Sequence, residues 1–191
     1  MENQEYKEGA TGVLVKAFGN LLHVRFQGHI RQGEVGMVQL DGTSLKAEVI
    51  EIANDIAKLQ VFEDIRGVEL NTPIVFTSHL LEAELGPGLM SMIFDGLQNP
   101  LEQVAQVSGL FLSRGTYLPA IDRQKTWEFQ PTAEVGTLLE RGDTIGTTLE
   151  GRFEHKIMLP FSLLGAYTLI WVAKPGSYTV EAEIAKVKDP Q

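Results

Sequence analysis

The stretch Leu22-His23-Val24-Arg25-Phe26-Gln27 decides the fold class, because its apolar and polar residues alternate strictly. Side chains of a β-strand point to opposite faces with period two, so this pattern indicates a strand with one buried face. The stretch Ala57-Lys58-Leu59-Gln60-Val61 repeats the alternation. Both segments therefore predict half-buried strands.

Seven further runs have the apolar, β-branched composition of strands. Turn-forming pairs such as Gly19-Asn20, Asp41-Gly42 and Pro175-Gly176 punctuate the chain. Many short strands at a spacing of about 8–12 residues predict an antiparallel barrel or sandwich. The seven runs are 12–18, 35–40, 45–52, 74–77, 157–159, 165–173 and 178–187.

Arg141-Gly142-Asp143 matches a cell-adhesion tripeptide, but its composition is also that of a tight turn between strands. We interpret it as a turn in which Gly142 takes a positive φ and Asp143 caps the backbone.

One segment, 100–107, predicts a helix. Pro100 suits the first helical turn, and Leu101, Val104 and Ala105 fall on a common face.

Upstream of this helix, Leu85, Leu89, Ile93 and Phe94 have a helix-like spacing. We interpret them as a core-facing stripe, with a docking stripe as the alternative. A break in composition falls over about 85–100, where Gly86-Pro87-Gly88 stands, and indicates a connector.

These patterns predict a mainly β protein with three parts. We expect an N-terminal closed β-barrel over residues 1–77 and a short connector with one helix over 78–109. A second β-rich, barrel-sandwich-like lobe follows over 110–191.

The composition excludes several function classes. The 191 residues carry 16 basic and 25 acidic side chains, a formal net charge of −9, so we expect no nucleic acid partner. Cysteine is absent, which removes disulfides, thiolate catalysis and cysteine-based zinc sites. No long apolar run predicts a membrane span, and the polar N-terminus does not look like a signal peptide, so we expect a cytoplasmic protein without direct membrane insertion.

The sequence holds no recognisable catalytic or phosphate-binding motif. It contains no Gly-x-x-x-x-Gly-Lys-Ser/Thr run, no Gly-x-Gly-x-x-Gly after a strand and no Gly-x-Ser-x-Gly elbow. The four histidines, His23, His29, His79 and His155, lack a metal-ligand spacing. We therefore expect no catalytic residue, nucleotide-binding residue, metal or cofactor in this span.

Two groups of charged residues leave alternatives open. The cluster Asp122-Arg123-Gln124-Lys125 precedes Trp127 and Phe129, and is either a solvated turn beside core aromatics or an interface patch. Carboxylate pairs such as Glu82 with Glu84, or Asp122 with Glu128, would be needed for an enzyme site, but spacing alone does not place them together.

Lys156 carries a different alternative. The turns and strands around it have the rhythm of a barrel–sandwich hybrid, the architecture of lipoyl and biotinyl carriers, which attach their cofactor to a lysine at a hairpin tip. The alternative function is therefore a carrier domain modified at Lys156.

Three stretches together resemble the N-terminal part of the catalytic A subunit (alpha chain) of prokaryotic V-type and A-type rotary ATPases. The first runs from Glu84 to Leu101, the second from Arg114 to Phe129, and the third joins 155–160 to 176–181. The family-motif positions in them are Glu84, Gly86, Pro87, Gly88, Phe94, Asp95, Gly96, Arg114, Gly115, Asp122, Arg123 and Trp127.

The resemblance implies a division of labour within a larger protein. The barrel would belong to the crown of a hexameric head that alternates with B subunits, and the second lobe would be the family's outer bulge, facing peripheral stalk subunits. The family's nucleotide-binding domain, which uses ATP or ADP with Mg²⁺, would lie beyond residue 191, so the chain is expected to be truncated. The parent would couple ATP synthesis or hydrolysis to proton or sodium transport while attached peripherally to a membrane.

Overall fold

The computed structural model describes residues 9–90, 92–109 and 113–189, which contain thirteen β-strands and one α-helix. The predicted mainly β class is confirmed. The chain divides into two compact units, each built from two separate segments. The first unit comprises Met1–Ala83 with Val104–Tyr117, and the second comprises Glu84–Gln103 with Leu118–Gln191.

The first unit is a closed, six-stranded antiparallel barrel with strand order β1-β2-β5-β4-β3-β6. Closure leaves the sheet without an unpaired edge, as the sequence led us to expect. The strands are β1 Thr11–Phe18, β2 Leu21–Gln27, β3 Glu34–Leu40, β4 Thr43–Ala53, β5 Ile56–Val61 and β6 Pro73–Leu80.

The barrel core consists of the inward-facing residues of the alternating strands. Leu22 and Val24 of β2 are completely buried, whereas the next residue along the strand, Arg25, is exposed. Ala57, Leu59 and Val61 of β5 are also completely buried. Burying each leucine or valine side chain among them contributes about 1.5–3 kcal/mol, so the alternation is what stabilises the closed sheet.

The second unit contains two antiparallel sheets. One has four strands in the order β10-β9-β7-β12, and the other has three in the order β13-β11-β8. Leu139, Ile145, Leu159 and Leu169 form a buried cluster within this unit. The strands are β7 Thr126–Pro131, β8 Leu138–Glu140, β9 Thr144–Glu150, β10 Phe153–Met158, β11 Ala166–Val172, β12 Gly176–Thr179 and β13 Ala185–Lys188.

The second unit departs from the sequence prediction in two respects. The run 178–187 was expected to be one strand, but residues 180–184 separate β12 from β13, so that prediction is wrong. Three strands, β7, β8 and β9, were not among the predicted runs. β8 has only three residues, too few for alternation to stand out from chance.

Helix α1, Leu101–Ser108, confirms the predicted helix to within one residue at each end. Val104 is 2% exposed, but Ala105 is exposed, so the predicted common face is only partly correct. Pro100 lies just before the helix, where it forms a β-bridge with Phe94.

The expected core stripe upstream of the helix is wrong. The described residues between 84 and 100 contain no helix, and Leu85 and Ile93 are 83% and 73% exposed. Gly86, Pro87 and Gly88 interrupt the helical period, so the apolar spacing does not create one face.

Candidate functional site

The motif positions separate into two clusters. Arg114 and Gly115 lie in the first unit, together with Glu63. The remaining motif residues lie in the second unit, where Glu84, Gly86, Pro87, Arg123 and Trp127 line a cavity.

In the first unit, Glu63 accepts hydrogen bonds from the 114–117 segment, which is about fifty residues further along the chain. We call this group of residues the Glu63 clamp; its members are Glu63, Arg114, Gly115 and Tyr117. Gly115 N donates to Glu63 Oε1 at 2.8 Å, and the Tyr117 hydroxyl donates to Oε2. Tyr117 Oη also accepts from the backbone N–H of Lys46 at 2.7 Å. Arg114 donates to the carbonyl oxygen of Asp64 at 3.2 Å and to that of Arg66. The clamp thus holds the 114–117 segment against the barrel through charge-assisted hydrogen bonds.

Gly115 is required by the geometry of the Glu63 clamp. Its φ is +70°, a conformation that residues with a Cβ rarely adopt. A Cβ there would overlap Thr43 Oγ1 and lie 3.0 Å from the carbonyl oxygen of Ser44. Both the backbone conformation and the close approach therefore exclude a side chain.

Asp64, next to the clamp, has a lowered pKa. The backbone N–H of Arg66 donates to Asp64 Oδ1 at 2.9 Å, and this bond is the main cause of the lowered pKa. The Arg66 side chain, 2.6 Å from Oδ2, and the positive charge of Arg114 lower the pKa of this exposed carboxyl further.

In the second unit, Glu84 is held through both its side chain and its backbone. Its carboxylate pairs with the Arg123 guanidinium and accepts from Ile121 N at 3.2 Å. Gln98 accepts from Glu84 N at 2.6 Å and donates to Glu84 O at 2.7 Å. Arg123 Nε also lies 3.3 Å from a carboxylate oxygen of Glu181.

Asp95 closes a separate loop of this unit. Its Oδ1 accepts from Leu97 N at 2.9 Å and Asn99 N at 2.8 Å, and its Oδ2 accepts from Asn99 Nδ2 at 2.8 Å. Asn99 is 4% exposed, and its Oδ1 accepts from Leu118 N at 3.0 Å. The space around a Cβ at Gly96 is open, so packing gives no reason for glycine there.

The charged cluster before Trp127 forms an exposed turn. Asp122 Oδ1 accepts from Gln124 N at 2.8 Å and from Lys125 N at 3.3 Å. Lys125 Nζ lies 4.3 Å from the centroid of the Trp127 ring. These contacts support the interpretation as a solvated turn beside aromatics.

A cavity of about 540 Å³ lies over one face of the four-stranded sheet. The register places Phe129 opposite Thr148 and Thr148 opposite His155, so the three residues share that face. Residues 84–87, which include Gly86 and Pro87, line another side. A Cβ on Gly86 would lie 2.8 Å from Ile121 Cδ1, and one on Gly88 would lie 3.3 Å from the Trp127 ring.

Some polar groups around the cavity have hydrogen-bond partners, and others have none. His155 Nε2 lies 2.7 Å from Glu150 Oε2, and Glu150 Oε1 accepts from Met90 N at 3.1 Å. Trp127 Nε1 and Thr148 Oγ1 are buried and have no hydrogen-bond partner in the described part of the chain. Such a group costs free energy unless a ligand or water satisfies it.

Two family models match the chain, one over each β-rich part. The ATP synthase alpha/beta family β-barrel domain matches residues 12–78, and the ATP synthase alpha/beta subunit barrel-sandwich domain matches residues 118–191. The chain belongs to the ATP synthase alpha/beta family.

Curated relatives in this family carry the name V-type ATP synthase alpha chain. That of Protochlamydia amoebophila is 59% identical over 189 residues, which are 99% of this chain and 32% of the relative. That of Chlamydia muridarum is 53% identical over 94% of this chain and 30% of the relative. That of Chlamydia pneumoniae is 51% identical over 97% of this chain and 31% of the relative. The chain spans about a third of the length of these relatives, and the expected family resemblance is confirmed.

The carrier alternative does not fit the structure of this ATP synthase family member. Lys156 lies within β10, opposite Thr147 of β9. The turn of that hairpin is at Gly151 and Arg152, five and four residues before Lys156. Carriers need their lysine at a hairpin tip, so the alternative is wrong.

The carboxylate pairs considered for an enzyme site have other partners. Glu84 is bound by Arg123, and Glu128 accepts a hydrogen bond from the Ser177 hydroxyl. Within residues 9–90, 92–109 and 113–189, no group of three or more His, Asp or Glu residues could hold a metal ion. The described part of the chain also has no helix that is long and apolar enough to cross a membrane.

Sequence reasoning missed several residues that make the key contacts. Glu63 lies in none of the three quoted stretches, yet it binds Gly115. Gln98 and Glu181 lie within those stretches but were not singled out, yet they bind Glu84 and Arg123. Each contact joins residues far apart in the chain, and one sequence carries no local signal for such pairing.

Proposed function

We propose that these residues form the N-terminal, non-catalytic part of the catalytic subunit of a V-type ATP synthase and serve its assembly. The parent couples ATP synthesis or hydrolysis, with Mg²⁺, to proton or sodium transport across a membrane. The observation that carries this proposal is the 59% identity, over 99% of the chain, with a protein named V-type ATP synthase alpha chain.

The barrel supplies the contacts that hold a hexameric head of alternating A and B subunits. Because its sheet is closed, a neighbour meets outward side chains and not a free strand edge. Val13, Phe18, Ile50, Ile52 and Phe62 are large apolar residues exposed on this unit. A B subunit would bury them, and a fixed crown leaves the lower parts of the head free to open and close.

The second unit presents the outer lobe to peripheral stalk subunits or neighbours. Its exposed apolar residues include Leu149 and Phe153 on the β9–β10 hairpin, and Phe161 and Leu164 in the loop before β11. Apolar residues at exposed loop ends fit a binding role better than a core role.

The three-part division 1–77, 78–109 and 110–191 is also a proposal. In it, the connector leads toward the nucleotide-binding domain of the parent. The compact units divide the connector differently, since residues 84–103 belong to the second unit and 104–109 to the first. The parent is proposed to lie in the cytoplasm, held at the membrane only through its complex.

Surface variants of the parent subunit test the assembly role. Phe18→Glu places a charge on the outside of the barrel, while Val135→Glu places the same charge on an exposed apolar residue of the second unit that the proposal gives no binding role. Co-expression with the B subunit should give much less hexameric head for Phe18→Glu and normal head for Val135→Glu. Equal yields of head for both variants and for the unmodified protein would contradict the proposed barrel interface.

A calorimetric titration of the 191-residue chain with Mg-ATP tests the non-catalytic role. The sequence has no phosphate-cradling motif, so no saturable heat is expected. Tight, magnesium-dependent binding would overturn the proposal.

A further inference from the structure

Residues 84–90 run over the cavity of the second unit, and we call this segment the strap. Residues 84–87 line the cavity. Further along, Gly88 packs so closely on the Trp127 ring that a Cβ on this glycine would lie 3.3 Å from it. Trp127 and Phe129 are two residues apart in β7 and therefore point to the same face of the four-stranded sheet. The strap thus covers part of the aromatic face of this sheet.

The Glu84 end of the strap is held by several interactions at once. The Glu84 carboxylate pairs with the Arg123 guanidinium and accepts a hydrogen bond from Ile121 N. The Gln98 side chain binds both backbone groups of Glu84, because it accepts from the N–H and donates to the carbonyl oxygen. All of these interactions would have to break together to release this end, so it is the fixed end of the strap.

The Met90 end of the strap is held by a single carboxylate. Met90 N donates to Glu150 Oε1 at 3.1 Å, and the other oxygen of that carboxylate lies 2.7 Å from His155 Nε2. The Glu150 side chain is only 12% exposed, so its contact with His155 keeps it directed at the strap. Among the described residues, this is the one hydrogen bond that joins residues 89–90 to the sheet. We call Glu150 the latch.

The middle of the strap is held only weakly. Residues 85–88 form no hydrogen bond with any described residue, and Pro87 has no N–H to donate. Leu85 is 83% exposed and Met90 is 40% exposed, so neither side chain anchors the strap by burial. Segments with few hydrogen bonds and little buried apolar surface open locally at a low free energy. The strap can therefore open while the sheet beneath it stays folded.

We propose that the strap is a cover that opens at its Met90 end, with Glu84 as the fixed end and Glu150 as the latch. Opening uncovers the Trp127 ring and widens access to the cavity beside it. The proposal does not depend on the assembly function, because it concerns the second unit alone.

Amide hydrogen exchange of the 191-residue chain, followed by NMR, compares the two ends of the strap. Glu150→Ala should accelerate exchange of the Met90 amide about tenfold or more, because a hydrogen bond to a charged acceptor is worth at least that factor. The Glu84 amide, which Gln98 still holds, should keep its rate. Glu150→Gln retains a neutral acceptor and should give a smaller acceleration. Glu154→Gln, on the exposed face of the same hairpin, should change neither rate. An unchanged Met90 rate in Glu150→Ala, or equal acceleration at both ends, would overturn the proposal.

Tryptophan fluorescence tests whether opening uncovers the ring. The chain has two tryptophans, so Trp171→Phe leaves Trp127 as the single fluorophore. In that background, acrylamide should quench Trp127 more strongly when Glu150→Ala is added, and equally when Glu154→Gln is added. Slow exchange of the β9 and β10 amides in every variant should show that the sheet is intact. Unaltered quenching in Glu150→Ala would show that the strap does not cover the ring. Loss of β9 and β10 protection in both Glu150→Ala and Glu150→Gln would assign Glu150 to the sheet and contradict its role as a latch.

Discussion

Leu22 and Leu59 lie directly opposite each other on neighbouring strands of the barrel, and both are completely buried. They come from the two stretches whose alternation is clearest in the sequence, 22–27 and 57–61. Their pairing places the two apolar faces side by side, so the same register that joins β2 to β5 also builds the barrel core.

Leu59→Ala should destabilise the barrel by about 2–5 kcal/mol, because a buried leucine leaves a cavity that the closed sheet cannot fill. Amide hydrogen exchange of the β2 and β5 backbone measures this loss of stability in the first unit alone. Gln60→Ala, at the neighbouring exposed position, should change the free energy of opening that exchange reports by less than about 0.5 kcal/mol. Similar losses for the two variants would show that the buried face is not what stabilises the barrel.

Gly115→Ala should destabilise the first unit more than Gly42→Ala. Both glycines have a positive φ, +70° and +77°, so both variants carry backbone strain of about 1 kcal/mol or more. A Cβ at Gly42 meets open space, whereas one at Gly115 overlaps Thr43. Thermal unfolding followed by circular dichroism compares the two, and a smaller loss for Gly115→Ala would contradict the close packing described for the clamp.

Tyr117→Phe should loosen the segment that the Glu63 clamp holds. The variant removes the donor to Glu63 and the acceptor for Lys46 N, a loss of about 1–3 kcal/mol. Limited proteolysis should cut within 113–117 faster than in the unmodified chain. Tyr178→Phe serves as the control, since the Tyr178 hydroxyl bonds an exposed backbone carbonyl of the second unit. Unchanged cleavage of Tyr117→Phe would show that Glu63 does not hold the segment.

The pKa of Asp64 predicts how this corner of the barrel responds to acid. The folded-state pKa of Asp64 lies below the ordinary value. The ionised carboxylate therefore contributes to folding stability above the unfolded-state pKa, and this contribution is lost as the pH falls through the folded-state pKa. A carboxyl titration by NMR should show the lowered pKa.

Arg66→Ala identifies the cause of that shift. The variant keeps the backbone N–H that bonds Asp64 Oδ1, so the pKa should rise only partly toward its ordinary value. A complete return to the ordinary value would assign the shift to the Arg66 side chain.

The fold of the first unit could be predicted from local patterns, whereas its clamp could not. Alternation at Val24 and Leu59 reflects burial of every second residue, which a sequence displays directly. The bond between Glu63 and Gly115 depends on chain closure over 52 residues, for which neither residue carries a local signal.

In the second unit, local patterns were less informative. Lys156 appeared to suit a carrier because its neighbours have the right turns, but the register places it within a strand. The spacing of Leu85 and Ile93 suggested a buried face, yet both are exposed because no helix forms there.

The central claim is that these residues build the assembly region of a rotary ATP synthase subunit. Native mass spectrometry of the full-length subunit co-expressed with the B subunit, with and without residues 1–77, tests this claim most directly. The account predicts an alternating hexameric head for the intact subunit and only dissociated subunits after the deletion. A complete head with full ATP hydrolysis in the absence of the barrel would contradict it.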